Sequence, residues 1–254
     1  MSNSDVDWKN WGKQDPYYGV LAHPKFRRSE LNEDSLQEFF ETGRTHVDHV
    51  LGVVRQRLCP GLEPSRVLDY GCGVGRLIVP FAERCEHVTG IDVSADMLNE
   101  AAKNAEQRGL TNVQLIAAEN LDSIPDASFD FIHSFIVFQH IPTKRGEIIF
   151  RKLLQKLKPR GSGAIHFTYT RHASRLVRLA YAIRKRSTLF HRTMNLVQKR
   201  PFSDPVMQGN SYSLQHIFDI LFAEGCGSIY TEFTKHNNVV GLMIYFEKFQ
   251  PAYL

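Results

Sequence analysis

Two rhythms of apolar positions alternate along this chain of 254 residues. From about Ser35 through Leu58 they recur at three and four, at Leu36, Phe39, Phe40, Val47, Val50, Leu51 and Val54, which predicts an amphipathic helix closed by Pro60-Gly61. Short apolar runs follow at 66–70, 87–93, 113–118, 129–134 and 163–169, and these read as buried strands. Between them, 75–85, 94–110 and 143–161 carry helical patterns, with Ser94 as a cap, Gly109 as a terminator, and Pro159 and Gly161 stopping the last. Repeated strand–helix units of this length predict a parallel sheet with helices on both faces.

Both ends depart from that rhythm. Residues 7–26, "DWKNWGKQDPYYGVLAHPKF", are rich in aromatics and turn formers, which suits an arm lying over a surface better than a regular element. Near the carboxyl end a helix over 211–227 precedes strands at 228–235 and 239–249, joined by "HNN", which predicts an antiparallel hairpin. An extra segment, 171–210, lies between the fifth strand and that helix. Its stretch 173–187 is helical by pattern, with Arg171, Arg175, Arg178 and Lys185 on one face and Leu176, Leu179, Ala180 and Ile183 opposite.

Composition narrows the class. A 43% apolar chain of this length can bury one large core. A single domain over 1–254 is expected: 1–60 an amino-terminal arm and helix, 61–170 a ligand-binding core, 171–210 a basic insertion, and 211–254 the final helix and hairpin. The net charge of +4 is unevenly spread, because no acid occurs between Glu147 and Asp204 while fourteen Lys and Arg do. No apolar run approaches the roughly 20 residues that cross a bilayer, and "MSNSDVDWKN" has neither a basic start nor an apolar stretch, so a cytoplasmic location is expected. Cys59, Cys72, Cys85 and Cys226 are scattered without ligand spacing, which argues against a disulfide framework or a zinc site.

Candidate chemistry begins at "RVLDYGCGVGR", where Gly71, Gly73 and Gly75 follow a strand directly. Glycine removes the Cβ that would block a ligand, and the next helix presents unpaired NH groups. Nicotinamide dinucleotides, flavins, nucleoside phosphates and S-adenosylmethionine can all use such a loop. Asp92 ends the next strand, about 20 residues on, where a carboxylate can accept both ribose hydroxyls. Asp69 before the first glycine would repel a pyrophosphate and suits a ligand carrying positive charge.

The runs "VLDYGCGVGR", "GIDVS", "AAENLDSIPDASFDFIHS" and "FQHIP", in this order, resemble class I S-adenosylmethionine-dependent methyltransferases over roughly Ser65 to Tyr169. The resemblance implies an α/β fold, a Rossmann-like three-layer sandwich. Its sheet would be seven-stranded and mostly parallel with an antiparallel terminal strand; to this the chain's own pattern adds an amino-terminal helical arm and a helical insertion after the fifth strand. It also implies that Gly71, Cys72 and Gly73 run past the methionine part of the cofactor with Asp69 nearby. Asp92 would hold the ribose, and Val93 and Met97 would pack on the adenine. Where many relatives place an acid for the adenine amino group, this chain has Ala118, Glu119 and Asn120; the Ala118 backbone can read the ring, and the two side chains divide between that contact and helix capping. Arg76 divides between the cofactor carboxylate and helix surface. Ser134 belongs to the cofactor neighbourhood and stands where metal-dependent relatives carry an acid, so no catalytic metal is expected.

Methyl transfer is an in-line displacement, which needs orientation, exclusion of water and, for a protonated acceptor, a base. His140, just beyond the fourth strand, is the candidate base, against a structural role in tying down a loop. His46 and His49 have helix-face spacing for a metal without an evident third ligand. The basic segment 171–200 is read as a lid over an anionic small acceptor, with nucleic acid or an acidic membrane surface as other partners and solvated charge as the plain alternative. The leading functional expectation is methyl transfer from S-adenosylmethionine to O or N of a small, anionic acceptor. The alternative is a non-catalytic S-adenosylmethionine-binding module acting through RNA or a protein partner. Oligomeric state is not specified by any of these features.

Overall fold

The computed structural model describes residues 3–171, 183–184, 187–198, 200–236 and 238–249. Five strands, β1 (Arg66–Tyr70), β2 (His87–Asp92), β3 (Val113–Ala117), β4 (Phe129–Ser134) and β5 (Leu157–Arg171), form the sheet with the hairpin β6 (Cys226–His236) and β7 (Val239–Lys248). The order is β3-β2-β1-β4-β5-β7-β6. Pairing is parallel from β3 to β5, and β7 runs antiparallel to both β5 and β6. This is the Rossmann-like, seven-stranded arrangement with a reversed terminal strand.

Helices α3 (Glu33–Arg57), α4 (Ile78–Ala82) and α5 (Ala95–Glu106) are joined on the far side of the chain order by α6 (Thr143–Lys156) and the helix Leu214–Ala223. Asn32 and Ser35 start α3 with a reciprocal capping box, both bonds at 2.9 Å, and the Ser94 hydroxyl caps α5 at Met97 N. Two cores result. One gathers Leu68, Ile132, Phe150, Leu153, Ile165 and Ile217; the other gathers Val50, Val54, Val67, Phe81, Val88 and Phe131.

Two sequence expectations are corrected. The amino-terminal arm is regular: α1 (Asn3–Gln14) and α2 (Pro16–Val20) bury Trp11, Tyr17 and Tyr18 in a third cluster with Phe26, Phe39, Val79 and Met97. Its aromatics are core residues of a docked helix, which turn-former counting cannot distinguish from a loop. Helix α6 ends at Lys156, not at Pro159 and Gly161, because Leu157 already pairs with Phe129 as the first residue of β5. Pro159 sits where the β4–β5 register shifts and Arg160 takes φ +63°, so the proline lies in a bulge and not in a helix stop.

Candidate functional site

The loop after β1 bends through Gly71, Gly73 and Gly75 at φ +78°, +55° and +86°, values that L side chains rarely adopt. A Cβ on Gly71 would meet Val137 Cγ2 at 2.3 Å, and one on Gly73 would meet Val20 Cγ2 at 2.5 Å. The loop is thus closely overlain from β4's exit and from α2. Backbone bonds tie it to β2: Gly71 N and Cys72 N donate to Ile91 O, at 2.7 and 3.0 Å. Gly73 N donates to Asp92 Oδ2 and Ser94 N to Asp92 Oδ1, both at 2.9 Å. Burial pushes the Asp92 carboxyl up to about 6, while those backbone donors pull it the other way. Each oxygen keeps lone-pair capacity for a further donor.

Above the loop lies a cavity of about 120 Å³ that opens to solvent. Gly71, Gly73, Asp92, Val93, Met97 and Ala118 form the wall from β1, β2, α5 and β3. Ser4, Asp5 and Trp8 of α1 complete the lining together with Phe135, His140 and Arg145. Arg145 Nη1 donates to both Asp5 carboxylate oxygens, at 2.6 and 2.8 Å, placing an ion pair in the lining.

His140 ends a short 3-10 turn, Phe138–His140, that leads from β4 into α6. Its Nδ1 lies 2.6 Å from the carbonyl of Gln208, which can only accept, so Nδ1 carries the proton. Nε2 therefore presents its lone pair, and the Gln139 amide nitrogen donates to it at 3.0 Å. The Thr168 hydroxyl in turn donates to Gln139 Oε1 at 3.0 Å. Burial lowers the His140 pKa to about 4, so the ring is neutral at pH 7. The Ser4 hydroxyl bonds the His140 carbonyl, and Trp8 meets the ring edge-on at 4.7 Å between centroids.

Seven of the anticipated residues line this cavity: Gly71, Gly73, Asp92, Val93, Met97, Ala118 and His140. The other six lie elsewhere. Asp69 is buried and accepts from His133 Nδ1 at 2.8 Å, and His133 Nε2 lies 3.0 Å from His46 Nε2. Cys72 is buried, its thiol raised well above the usual range by burial. Arg76 is buried beside α3, donating to Thr42 Oγ1 at 3.3 Å, with its pKa lowered to about 10 by burial. The Ser134 hydroxyl donates to Tyr70 O at 2.8 Å, stitching β4 to β1. Glu119 and Asn120 are exposed on the 3-10 turn Ala118–Ser123.

Sequence reasoning missed Ser4, Asp5, Tyr70, Phe135 and Arg145. Tyr70 lies within one recognised motif and Phe135 directly follows another, so their position was a usable signal, whereas Asp5 and Arg145 are separated by 140 residues and share no local pattern. His46 and His49 diverge, His49 Nε2 lying 2.9 Å from Glu232 Oε2. Among the described residues no cluster of three or more His, Cys, Asp or Glu could hold a metal. The basic stretch 172–182 and 185–186, read as the lid helix, lies outside the described residues.

Residues 67–161 match the model of a methyltransferase domain. Over 102 residues the chain is 36% identical to a ubiquinone biosynthesis O-methyltransferase of Idiomarina loihiensis, covering 40% of this chain and 41% of that protein. Over 127 residues it is 35% identical to an aklanonic acid methyltransferase of a Streptomyces species, covering 47% and 53%. The chain thus spans about half or less of the length of these curated relatives. Among solved structures, magnesium protoporphyrin IX methyltransferase from Synechocystis PCC 6803 with bound S-adenosylhomocysteine is similar in fold. Its TM-score is 0.56 at 20% identity, with 86% of this chain and 88% of that one covered.

Proposed function

We propose, from the methyltransferase domain matched at 67–161, that this chain is a class I S-adenosylmethionine-dependent methyltransferase that methylates O or N of a small acceptor held in the cavity beside His140. One observation carries the reading: a single cavity joins the Asp92 carboxylate and the glycine backbone to a neutral histidine with a defined basic nitrogen.

The residues present suit the cofactor. Gly71 and Gly73 leave no Cβ on the loop, the Asp92 oxygens have capacity for the ribose hydroxyls, and Val93, Met97 and Ala118 offer an apolar surface for the adenine. S-adenosylmethionine supplies, when bound, a methyl group activated by a sulfonium. Everything else falls to the protein. Val20 of the arm and Val137 pack closely over the loop and so fix its position beside the cavity. His140 Nε2 takes the proton that an O–H or N–H acceptor loses, provided Gln139 yields its hydrogen bond to the acceptor. Arg145 and Asp5 give the acceptor wall one charge of each sign, a pair able to meet polar groups of the acceptor.

Incubation with methyl-labelled S-adenosylmethionine and fractionated metabolite extracts tests the proposal. Label should appear in a small molecule and, at cofactor concentrations below saturation, fall about tenfold or more in Asp92→Ala. Tight cofactor binding with persistent absence of transfer would leave a binding module in place of an enzyme.

A further inference from the structure

The helix Thr188–Val197 is packed inside out. It buries His191 and Asn195, 5% and 0% exposed, while Leu189, Leu196 and Val197 are 74%, 58% and 70% exposed. A helix on a globular domain ordinarily does the reverse. Its rotation is locked by polar contacts: His191 Nε2 and Asn195 Nδ2 donate to Asp204 O at 2.7 and 3.0 Å, and Arg184 Nε donates to His191 Nδ1 at 2.7 Å. Turning the apolar face inward would break these bonds, each buried group then costing its desolvation.

Leu189, Leu196 and Val197 share one side of the helix at helical spacing, with exposed Arg192 between them and exposed Arg200 just beyond. No acidic residue occurs from 148 to 203. Apolar side chains edged by arginines, on a stretch of sequence without acids, match the chemistry of an anionic bilayer surface, where the chains enter the acyl boundary and the guanidinium groups meet headgroup phosphates. We propose that this face docks the protein on membranes rich in anionic lipid. Nucleic acid would engage the arginines alone and leave two leucines and a valine in water. A symmetric contact with a second copy would bring Arg192 and Arg200 of both copies together, like charge against like. Among the described residues no helix is long and apolar enough to cross a membrane.

The docking face adjoins the cavity along the chain. Asp204, which accepts from the helix, also takes two bonds from Arg27, and four residues later the Gln208 carbonyl accepts from His140. Docking itself does not depend on methyl transfer and can be read without turnover.

Co-sedimentation with vesicles made of equal parts phosphatidylcholine and phosphatidylglycerol, against pure phosphatidylcholine, tests it. The protein should bind the mixed vesicles and bind the neutral ones far less. Leu189→Gln with Val197→Gln should weaken binding at least tenfold, and Arg192→Gln or Arg200→Gln about fivefold each. Calorimetry with S-adenosylhomocysteine and the melting temperature serve as checks that these variants keep their fold. The proposal fails if neither vesicle binds, or if the glutamine pair binds as the parent does. It also fails if sedimentation equilibrium shows a dimer that the glutamine pair dissociates, or if only RNA is bound and only the arginine variants reduce that.

Discussion

Asp92 receives two backbone hydrogen bonds and still titrates near 6, because removing a carboxylate from water outweighs what the two donors return. Protonation takes away an acceptor that the ribose needs. Affinity for S-adenosylhomocysteine should therefore hold above about pH 7 and decline as pH falls through about 6. Titration calorimetry across that window checks it, and a flat profile would remove Asp92 from the contact. Asp92→Ala loses charge-assisted bonds of about 1.5–3 kcal/mol, so binding should weaken tenfold or more. His140 behaves differently. With its pKa near 4 and a positive charge disfavoured by burial, turnover at saturating cofactor and acceptor should persist well below pH 6.5 and fail only as pH nears 4. An acid limb at 6.5 in the rate profile would contradict a buried neutral base.

At the scale of elements, one half-buried guanidinium ties the amino-terminal arm to the segment that follows the helix Thr188–Val197. Arg27 donates to Asp204 at 3.0 and 2.6 Å and to Asp15 at 3.1 Å, and stacks 3.4 Å over Tyr18. Arg27→Met would leave two carboxylates facing each other without a cation. A loss of about 2–4 kcal/mol is expected, seen as a fall of roughly 5–10 °C in scanning calorimetry. Helix α6 offers the opposite surprise. Gly146→Ala should favour a helix by about 0.5–1 kcal/mol, but the added Cβ would lie 2.0 Å from the Tyr212 hydroxyl. That hydroxyl lies 3.0 Å from both Phe138 O and Ile141 O, anchoring the turn that carries His140. Packing wins, and denaturant unfolding should show a net loss of about 1–3 kcal/mol. Strands β1 and β4 and the cap of α5 were legible from runs and turn residues to the residue. The α6–β5 boundary was not, because only pairing with β4 makes Leu157 a strand residue and Pro159 part of a bulge.

For the molecule as a whole, the strand order sets the site. The sheet grows both ways from β1, to β2 on one side and β4 on the other, so the cavity opens where the connections diverge at the carboxyl ends of those strands. A ligand filling it should stabilise the entire fold. At about a hundredfold excess over its Kd, S-adenosylhomocysteine should add about 2.7 kcal/mol and raise the melting temperature by roughly 5–10 °C, with NAD leaving it unchanged.

Sequence by itself determined the alternation of strands and helices, the glycine loop, the carboxylate facing it and the family resemblance. Each of these is written in windows of a few residues, where periodicity, caps and left-handed backbone positions impose local chemistry. Only tertiary structure decided what those residues face. It turns Asp69 toward His133 and away from the cavity, and it pairs Asp5 with Arg145 across 140 residues. It also sets the protonated nitrogen of His140 through the Gln208 carbonyl and rotates the helix Thr188–Val197 so that its apolar side faces out. Contacts of that kind arise when distant segments close on one another, and the free energy that selects them is shared between partners that no local pattern connects.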